Sequence, residues 1–333
     1  MTAQGDSTGH NGGGPQVVDL RTVSAKDLEP LLADEIGEWR RELDWDFAPS
    51  AELVRQYAGT NSLGGAALMV DGEVAGYGYA VLEEPRGIIG DVYVRPRGRV
   101  PRYEAELFGS LLTALQSTPR ITRMESQLML AGSEAAAMIR DSNATRGTPV
   151  RLFERRLMSR VGAIPLPPTN GVLESRFRLA GWDERYMQAS SIVIAGAYKG
   201  ETDSEINSQY RSPGGARRFL GNIVEFPGCG AFHRPSSFIA FERDTGEPAG
   251  MVLASFVAGD VGHISQLCVV PAARGVGLGK ELLRMSADVL CRQGARLVSL
   301  TVTSANNTAI SIYEKFGFRS VRTFFAYVWE AAV

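Results

Sequence analysis

A glycine-rich segment in the second half of the chain has the composition of an anion-binding turn. It runs from Val269 to Lys280, reads VVPAARGVGLGK, and places glycines at 275, 277 and 279. A helical apolar pattern follows directly, which predicts a turn that opens into a helix. Unpaired amides at a helix N-terminus carry partial positive charge, and glycines let a phosphate approach them closely. The segment therefore predicts a site for a phosphate or diphosphate group.

This turn matches neither of two common nucleotide motifs. A P-loop ends in Gly-Lys-Ser/Thr, whereas Lys280 is followed by Glu281. A dinucleotide fingerprint spaces its glycines differently and has an acidic residue after a second strand, which is missing here. The spacing favours another kind of diphosphate ligand.

Two sequence blocks together resemble the GNAT superfamily of acyl-CoA-dependent N-acetyltransferases. The first is Val-x-Pro-x-x-Arg-Gly-x-Gly-x-Gly, which contains the glycine-rich turn. The second is Asn306-x-x-Ala309-x-x-x-Tyr313-Glu-Lys-Phe-Gly-Phe318. The resemblance covers the second half well and the first half in outline. It implies acetyl-CoA as the cofactor, an amine-bearing small molecule or protein as the acceptor, and direct transfer in a ternary complex without a metal.

The resemblance also implies which residues hold coenzyme A. The loop amides bind the pyrophosphate, and the end of the preceding strand pairs with the pantetheine arm. Asn306 either bonds that arm or only caps its helix. A backbone amide of Leu267 or Cys268 holds the thioester carbonyl. The expected coenzyme-binding residues are Leu267, Cys268, Val269, Arg274, Gly275, Val276, Gly277, Leu278, Gly279, Lys280 and Asn306.

Acetyl transfer needs an acid that protonates the leaving thiolate, and Tyr313 is the candidate. It matches the GNAT tyrosine whose hydroxyl reaches the coenzyme sulfur. The alternative is that the ring only packs on the core face of its short helix. Because the motif around Tyr313 is complete, we expect the acid role.

The base is less clear, since many GNAT members use a glutamate on the strand before the turn and this strand, HISQLCV, has none. His263 matches the first histidine of the His-x-His strand of arylalkylamine N-acetyltransferases, and Ser265 replaces the second. Imidazole titrates near about 6.5, which suits a base. His263 is the expected base, an idle strand-end histidine is an equal alternative, and Glu225 and His233 are held in reserve.

The region that walls the acceptor pocket in GNAT folds, here residues 198–211, 217–219 and 227–233, is rich in both polar and aromatic side chains. A solvated loop has the same composition, so the acceptor stays unidentified. The expected acceptor-contacting residues are Asn207, Tyr210, Arg211 and His233.

An internal duplication supplies the elements that position these residues. Asp71–Gly76 (DGEVAG) resembles Thr245–Gly250 (TGEPAG), and Gly87–Pro96 resembles Gly262–Pro271, both about 175 residues apart. We predict an α/β (α+β) protein with two tandem GNAT-like domains, each a mixed, mostly antiparallel twisted sheet flanked by helices. The expected parts are a flexible tail (1–14), a degenerate GNAT-like domain (15–160), a Pro-rich linker (161–171) and a catalytic GNAT domain (172–333).

The first copy has lost the glycines of the turn. Its counterpart is Arg99-Val-Pro-Arg-Tyr-Glu104, which puts a carboxylate where a phosphate binds in the second copy. Arg97 and Arg102 leave a different anion site open. We expect this copy to give structural support and not to bind the coenzyme in the same way.

Composition and net charge argue against several other kinds of partner and site. The 333 residues include 35 Lys and Arg against 37 Asp and Glu, so the net charge of −2 disfavours nucleic acid or an anionic membrane as partner. Three cysteines and three histidines without metal-ligand spacing favour neither a disulfide scaffold nor a zinc site. We expect a cytoplasmic monomer or homodimer. The rival to an enzyme is a non-catalytic acyl-CoA sensor or interaction module, and Tyr313 beside an intact loop favours the enzyme.

Overall fold

The first half of the chain alternates strands and helices as the duplication predicts. The computed structural model describes residues 14–96, 99–144, 149–162, 171–226, 228 and 230–331. The elements of the first half are β1 (Gln16–Asp19), α1 (Ala25–Leu43), α2 (Ala48–Gly59), β2 (Gly65–Val70), β3 (Glu73–Glu83), β4 (Arg86–Val94), α3 (Pro101–Gln116), β5 (Arg123–Leu128), α4 (Ser133–Ala144) and β6 (Arg151–Val161).

The second half repeats this order with extra short helices before its central strands. Its elements are α5 (Gly171–Arg176), β7 (Phe177–Gly181), α6 (Met187–Ala197), α7 (Thr202–Ile206), α8 (Pro213–Glu225), β8 (Ala231–Phe232), β9 (Phe238–Glu242), β10 (Pro248–Ala258), β11 (Val261–Val269), α9 (Leu278–Arg292), β12 (Leu297–Thr303), α10 (Asn307–Lys315) and β13 (Arg319–Glu330).

These strands form one continuous sheet in the order β1-β2-β3-β4-β5-β13-β6-β12-β11-β10-β9-β7, with β8 beside β10. Neighbours are antiparallel except β4 with β5 and β11 with β12, which are parallel. The prediction of a mixed, mostly antiparallel sheet flanked by helices is confirmed.

The last strand of each half pairs with the other half. β6 pairs with β12 over seven residues, from Arg155–Thr303 to Val161–Leu297. β13 in turn lies between β5 and β6. The last strand of the first half, β6, thus lies beside strands of the second half, and the last strand of the second half, β13, lies beside β5 and β6 of the first half. The sequence does not predict this exchange.

The two central strand pairs carry the same irregularity. In the β3–β4 pair an extra residue, Gly90, is bulged between the register partners of Tyr79 and Ala80. In the β10–β11 pair the extra residue is Ser265. Gly90 and Ser265 align in the duplication, so the bulge is a feature of both copies.

Apolar burial places the helices on the sheet. Leu282, Leu283, Ala287 and Leu290 of α9 are fully buried against the second half of the sheet. A separate core joins the two halves, since residues around Trp39 of α1 pack with Val257 and its neighbours. This shared core means that side chains of the first half reach the second half's central strands.

Some sequence-level expectations fall differently or lie outside the described residues. Val161 ends β6 and Gly171 begins α5, so the ends of the expected linker belong to regular elements. Residues 163–170, most of the tail, Arg97 and Cys229 lie outside the described residues. Within the described part of the chain, no helix has the length and apolar character needed to cross a membrane.

Candidate active site

The glycine-rich turn leaves the start of α9 open. Gly277 is the N-cap residue, has a left-handed backbone (φ 99°) and provides no side-chain cap. Gly275 is also left-handed, with φ 83°. A Ser or Asp cap normally bonds the first amides of a helix, so its absence here leaves the first-turn amides for another acceptor. This geometry fits the diphosphate of a coenzyme.

Arg274 supports the turn from the side. Its guanidinium donates to the carbonyl oxygens of Ala197 (2.7 Å) and Val269 (3.2 Å) and forms an ion pair with Glu201 at 2.9 Å. Its backbone amide bonds the carbonyl oxygen of Pro271. These contacts make Arg274 a residue that positions the turn; it also lines the cleft, and its contact with the coenzyme stays a prediction.

A gap opens between β11 and β12 next to the turn. The parallel register runs from Val261–Leu297 to Ile264–Leu300, and both strands continue beyond the last pair. Leu267, Val269, Thr301 and Thr303 of these free ends line one large cleft. Strand atoms of β11 are thus available for backbone pairing with an extended ligand.

Tyr313 lines the same cleft from α10. Burial raises the pKa of its hydroxyl, the nearby carboxylate of Asp203 raises it further, and Arg155 lowers it. The hydroxyl is therefore protonated at neutral pH and can donate a proton. The ring also packs near Phe318, at 6.0 Å between centroids, so packing and proton donation are compatible.

Asn306 begins α10, and its Oδ1 accepts a hydrogen bond from the Ala309 amide at 3.0 Å. This is a helix-capping contact. Asn306 also lines the cleft.

His263 is buried in the wall of the cleft. Its Nδ1 lies 2.9 Å from the Ser299 hydroxyl, and Trp45 of the first half meets its ring edge-on at 5.0 Å. Burial, with a smaller effect of Arg155, lowers the pKa of His263 to about 4. The imidazole is therefore neutral at pH 7 but a weaker base than an exposed histidine, so the lowered pKa does not itself support the base role.

Cys268 is a buried thiol on β11. Burial raises its pKa to about 12, despite a hydrogen bond with Gln266 that lowers it. A thiol with so high a pKa is not a nucleophile at neutral pH. This agrees with direct transfer without a cysteine intermediate.

Two of the four residues expected to contact the acceptor line the cleft, Asn207 and Tyr210. Tyr210 stacks on Tyr198 at 4.6 Å, and the hydroxyls of both bond the Gln266 side chain. Asn207 accepts hydrogen bonds from the Gln209 amide and from Arg86 of the first half.

The other two, Arg211 and His233, are not among the described residues that line this cleft, and their contact with the acceptor stays a prediction. Arg211 binds Glu330 at 3.3 Å and the Ser204 carbonyl oxygen at 2.8 Å. His233 bonds Ser236. The exposed Glu225, the other reserve candidate for the base, does not line the cleft either.

The sequence reasoning missed cleft residues that come from the first half. Arg155 of β6 lies 3.8 Å from Asp203 and 3.3 Å from the Thr301 hydroxyl, while its buried Nε has no hydrogen-bond partner. Trp39 and Trp45 also line the cleft. A tryptophan-bearing first helix is visible in the sequence, but nothing local shows that it faces the other copy.

The cleft holds about 1940 Å³ and is lined by both halves. Pockets for one small ligand usually hold about 300–1,000 Å³. The cleft is therefore large enough for two substrates together.

In the first half, charged side chains occupy the segment that corresponds to the glycine-rich turn. Arg99 binds the buried Glu38 at 2.7 Å, and its Nε lies 3.6 Å from the buried Glu104 in the first turn of α3. Burial is the main cause that raises the pKa of Glu104 to about 7. An internal ion pair thus occupies the region where the second half has its open amides.

Comparisons with known proteins agree with this geometry. Residues 205–318 match the family model described as Acetyltransferase (GNAT) family. Mycothiol acetyltransferase of Streptomyces avermitilis is 36% identical over 98 residues, which cover 29% of this chain and 32% of that protein. The chain thus spans about a third or less of the length of the first curated relatives it matches.

Solved structures match along nearly the whole chain. A GCN5-related N-acetyltransferase from Sphaerobacter thermophilus superposes with a TM-score of 0.63 at 17% identity and covers 95% of both chains. A tandem GNAT protein from the clavulanic acid biosynthesis pathway gives 0.56 at 15% identity, with 96% of this chain and 99% of that chain covered. At these identities the likeness concerns the fold. The second half of the chain therefore matches the GNAT acetyltransferase family model over residues 205–318, and the chain as a whole has the fold of the solved GNAT structures.

Proposed function

We propose that the protein is an N-acetyltransferase that transfers an acetyl group from acetyl-CoA to an amine, with its reacting centre in the second half. One observation carries this proposal: the open start of α9, the free end of β11 and the Tyr313 side chain all line one cleft. An anion site, a backbone edge and a proton donor in one cleft are what acetyl transfer requires.

The coenzyme supplies the acetyl group as a thioester. The amides that follow Gly277 hold the negative charge of the diphosphate, and Arg274 keeps their turn in place. The free edge of β11 at Leu267 and Cys268 offers backbone groups to the pantetheine arm and to the carbonyl oxygen.

Tyr313 gives a proton to the departing sulfur, since burial keeps its hydroxyl protonated. His263 takes the proton of the acceptor amine, directly or through water, because its neutral ring lines the cleft beside Trp45 on the strand that holds the thioester. We assign the first half to the acceptor side of the cleft, where Trp45 touches His263.

The test is a panel of small amines and lysine-containing peptides incubated with acetyl-CoA. Release of free thiol is followed, and the acetylated product is identified by mass. We expect thiol release that depends on one amine class and falls in Tyr313→Phe. Binding of acetyl-CoA without amine-dependent thiol release for any class would contradict the enzyme and support an acyl-CoA sensor.

A further inference from the structure

The cleft has a second arm, which lies in the first half of the chain. Trp39, Trp45, Phe47, Tyr79 and Asp91 line it, and we call this set the N-terminal arm. Trp39 stacks on Phe47 at 4.9 Å with the ring planes 12° apart, and it meets Trp45 edge-on at 5.9 Å. Four of the five side chains are aromatic, so the arm offers ring faces with one carboxyl group.

The N-terminal arm lies where β4 and β5 separate. Their parallel register ends at Ile89–Ser126, the bulged Gly90 follows, and Asp91 comes next. Asp91 aligns with Gln266 in the duplication, so this gap is the counterpart of the one beside Tyr313. Because Arg99 closes the turn of this half, the gap is open to a ligand other than the coenzyme.

Two buried carboxyl groups meet at the end of the N-terminal arm. Asp91 is 7% exposed, and Glu35 of α1 is 0% exposed. Asp91 accepts the Val92 amide, and Glu35 Oε2 accepts the Tyr77 hydroxyl, each at 2.7 Å. Glu35 Oε1 lies beside Asp91 and Trp39 but makes no hydrogen bond of ordinary geometry. Burial is the main cause that raises the pKa of both carboxyls.

This pair differs from the other buried acids of the first half. Glu38 has Arg99 at 2.7 Å, Glu104 has the same arginine at 3.6 Å, and Glu125 has Arg86 at 2.8 Å. No ion pair joins Asp91 or Glu35 to a basic side chain among the described residues; instead Glu35, whose pKa burial raises well above its usual range, interacts directly with Asp91, so that the two carboxyls share one proton. The proton-sharing pair therefore carries one buried negative charge on the Asp91 side without a counter-ion, which is costly and points to a cationic ligand.

We propose that the N-terminal arm binds an amino group of the acceptor as an ammonium ion, with Asp91 as its counter-ion and the aromatic rings as its walls. An ammonium ion over aromatic faces gains cation–π attraction, and a buried carboxylate strengthens it. The proposal rests on the proposed acetyl transfer, and it makes the degenerate copy the acceptor-binding half.

The position of Asp91 also constrains the acceptor. Asp91 lies on β4 and the reacting centre lies beside β11, five strands along the sheet, and an amino group held as an ammonium ion by Asp91 has no free electron pair with which to attack the thioester. One ammonium group cannot occupy both the N-terminal arm and the position beside Tyr313. The acceptor is therefore an extended small molecule that carries at least two amino groups.

The test measures binding without acetyl transfer. Spermine is titrated into the full chain with free coenzyme A present and no acetyl donor, at physiological salt, and followed by calorimetry and tryptophan fluorescence. Because Trp39 and Trp45 line the arm, we expect spermine to change the fluorescence. Asp91→Asn should weaken spermine binding about tenfold, the usual size of a lost charged contact.

Glu104→Gln is the matched control, since it neutralises another buried acid of this half outside the cleft wall. It should leave spermine affinity unchanged. Asp91→Asn should also melt no lower than the wild-type protein, because it removes a carboxyl without a counter-ion.

Three outcomes overturn the proposal: equal spermine affinity in Asp91→Asn and wild type, a lower melting temperature in Asp91→Asn, or Asp91-dependent binding of tri-lysine but not of spermine. The last outcome would move the acceptor to a basic peptide. Asp91-dependent spermine binding by a protein that acetylates no amine would keep the N-terminal arm and reject the proposed function instead.

Discussion

At the scale of single residues, burial decides what each polar group in the cleft can do. Burial keeps the Tyr313 hydroxyl protonated and the His263 imidazole neutral, so the first can donate and the second can accept at pH 7. The same effect keeps the Cys268 thiol protonated and unreactive. The environment of these three groups therefore fits the proposed proton donor, leaves the proposed base uncharged and argues against a cysteine nucleophile.

Tyr313→Phe removes the hydroxyl and keeps the ring. We expect turnover to fall about 10²-fold, the usual scale for one positioned proton donor, with acetyl-CoA affinity unchanged. Steady-state rates and calorimetry measure the two effects. Tyr57→Phe, which alters a tyrosine that is 54% exposed on α2, is the control. Equal turnover in both variants would leave Tyr313 with packing alone.

His263 should make the fold sensitive to acid. Its pKa is lowered from about 6.5 unfolded to about 4 folded, so the unfolded chain binds a proton first as the pH falls. The free energy of unfolding therefore drops below about pH 6.5, by about 2 kcal/mol at about pH 5. Urea titrations at about pH 7.5 and about pH 5 should show a smaller drop in His263→Asn. The same drop in both proteins would mean that the imidazole is solvated.

At the scale of elements, helix starts set the chemistry. α9 starts at a left-handed glycine without a side-chain cap, whereas α10 starts at Asn306, which caps it. The start of α9 therefore leaves backbone amides free for a ligand, whereas the start of α10 has a first-turn amide bonded by the Asn306 side chain. Sequence spacing predicts both starts, because glycine and asparagine have strong positional preferences at helix ends.

Asn306→Ala should lower the free energy of unfolding by about 1 kcal/mol, since the Ala309 amide loses its acceptor. Asn306→Asp keeps the capping oxygen and should restore stability. If capping is the whole role, Asp also restores acetyl-CoA affinity, which calorimetry measures. Restored stability with weak acetyl-CoA binding would show that the amide NH₂ bonds the pantetheine arm.

At the scale of the whole molecule, the exchange of β6 and β13 ties the halves together. The sequence predicts both strands but not their partners, because alternating apolar residues fit either neighbour equally well. For the same reason Arg155, which β6 carries into the cleft, could not be assigned to the site. The glycine-rich turn and Tyr313 could be, since a local motif surrounds each of them.

Residues 172–333 expressed alone should not fold cooperatively. That fragment lacks β6, so β12 loses its antiparallel neighbour from Leu297 to Thr303 and becomes an open edge. Thermal melting and circular dichroism test this, and addition of the 1–171 fragment should restore acetyl-CoA binding. A cooperative melt of the 172–333 fragment with full acetyl-CoA affinity would show that the exchanged strand is dispensable.

The central claim is that the second half alone holds the coenzyme. Calorimetric titration of the full chain with acetyl-CoA tests it most directly, with Gly277→Glu as the variant, because a carboxylate at the start of α9 repels the diphosphate. We predict one site per chain in the wild-type protein and no binding in Gly277→Glu. Two equivalent sites, or unchanged affinity in the variant, would contradict the account.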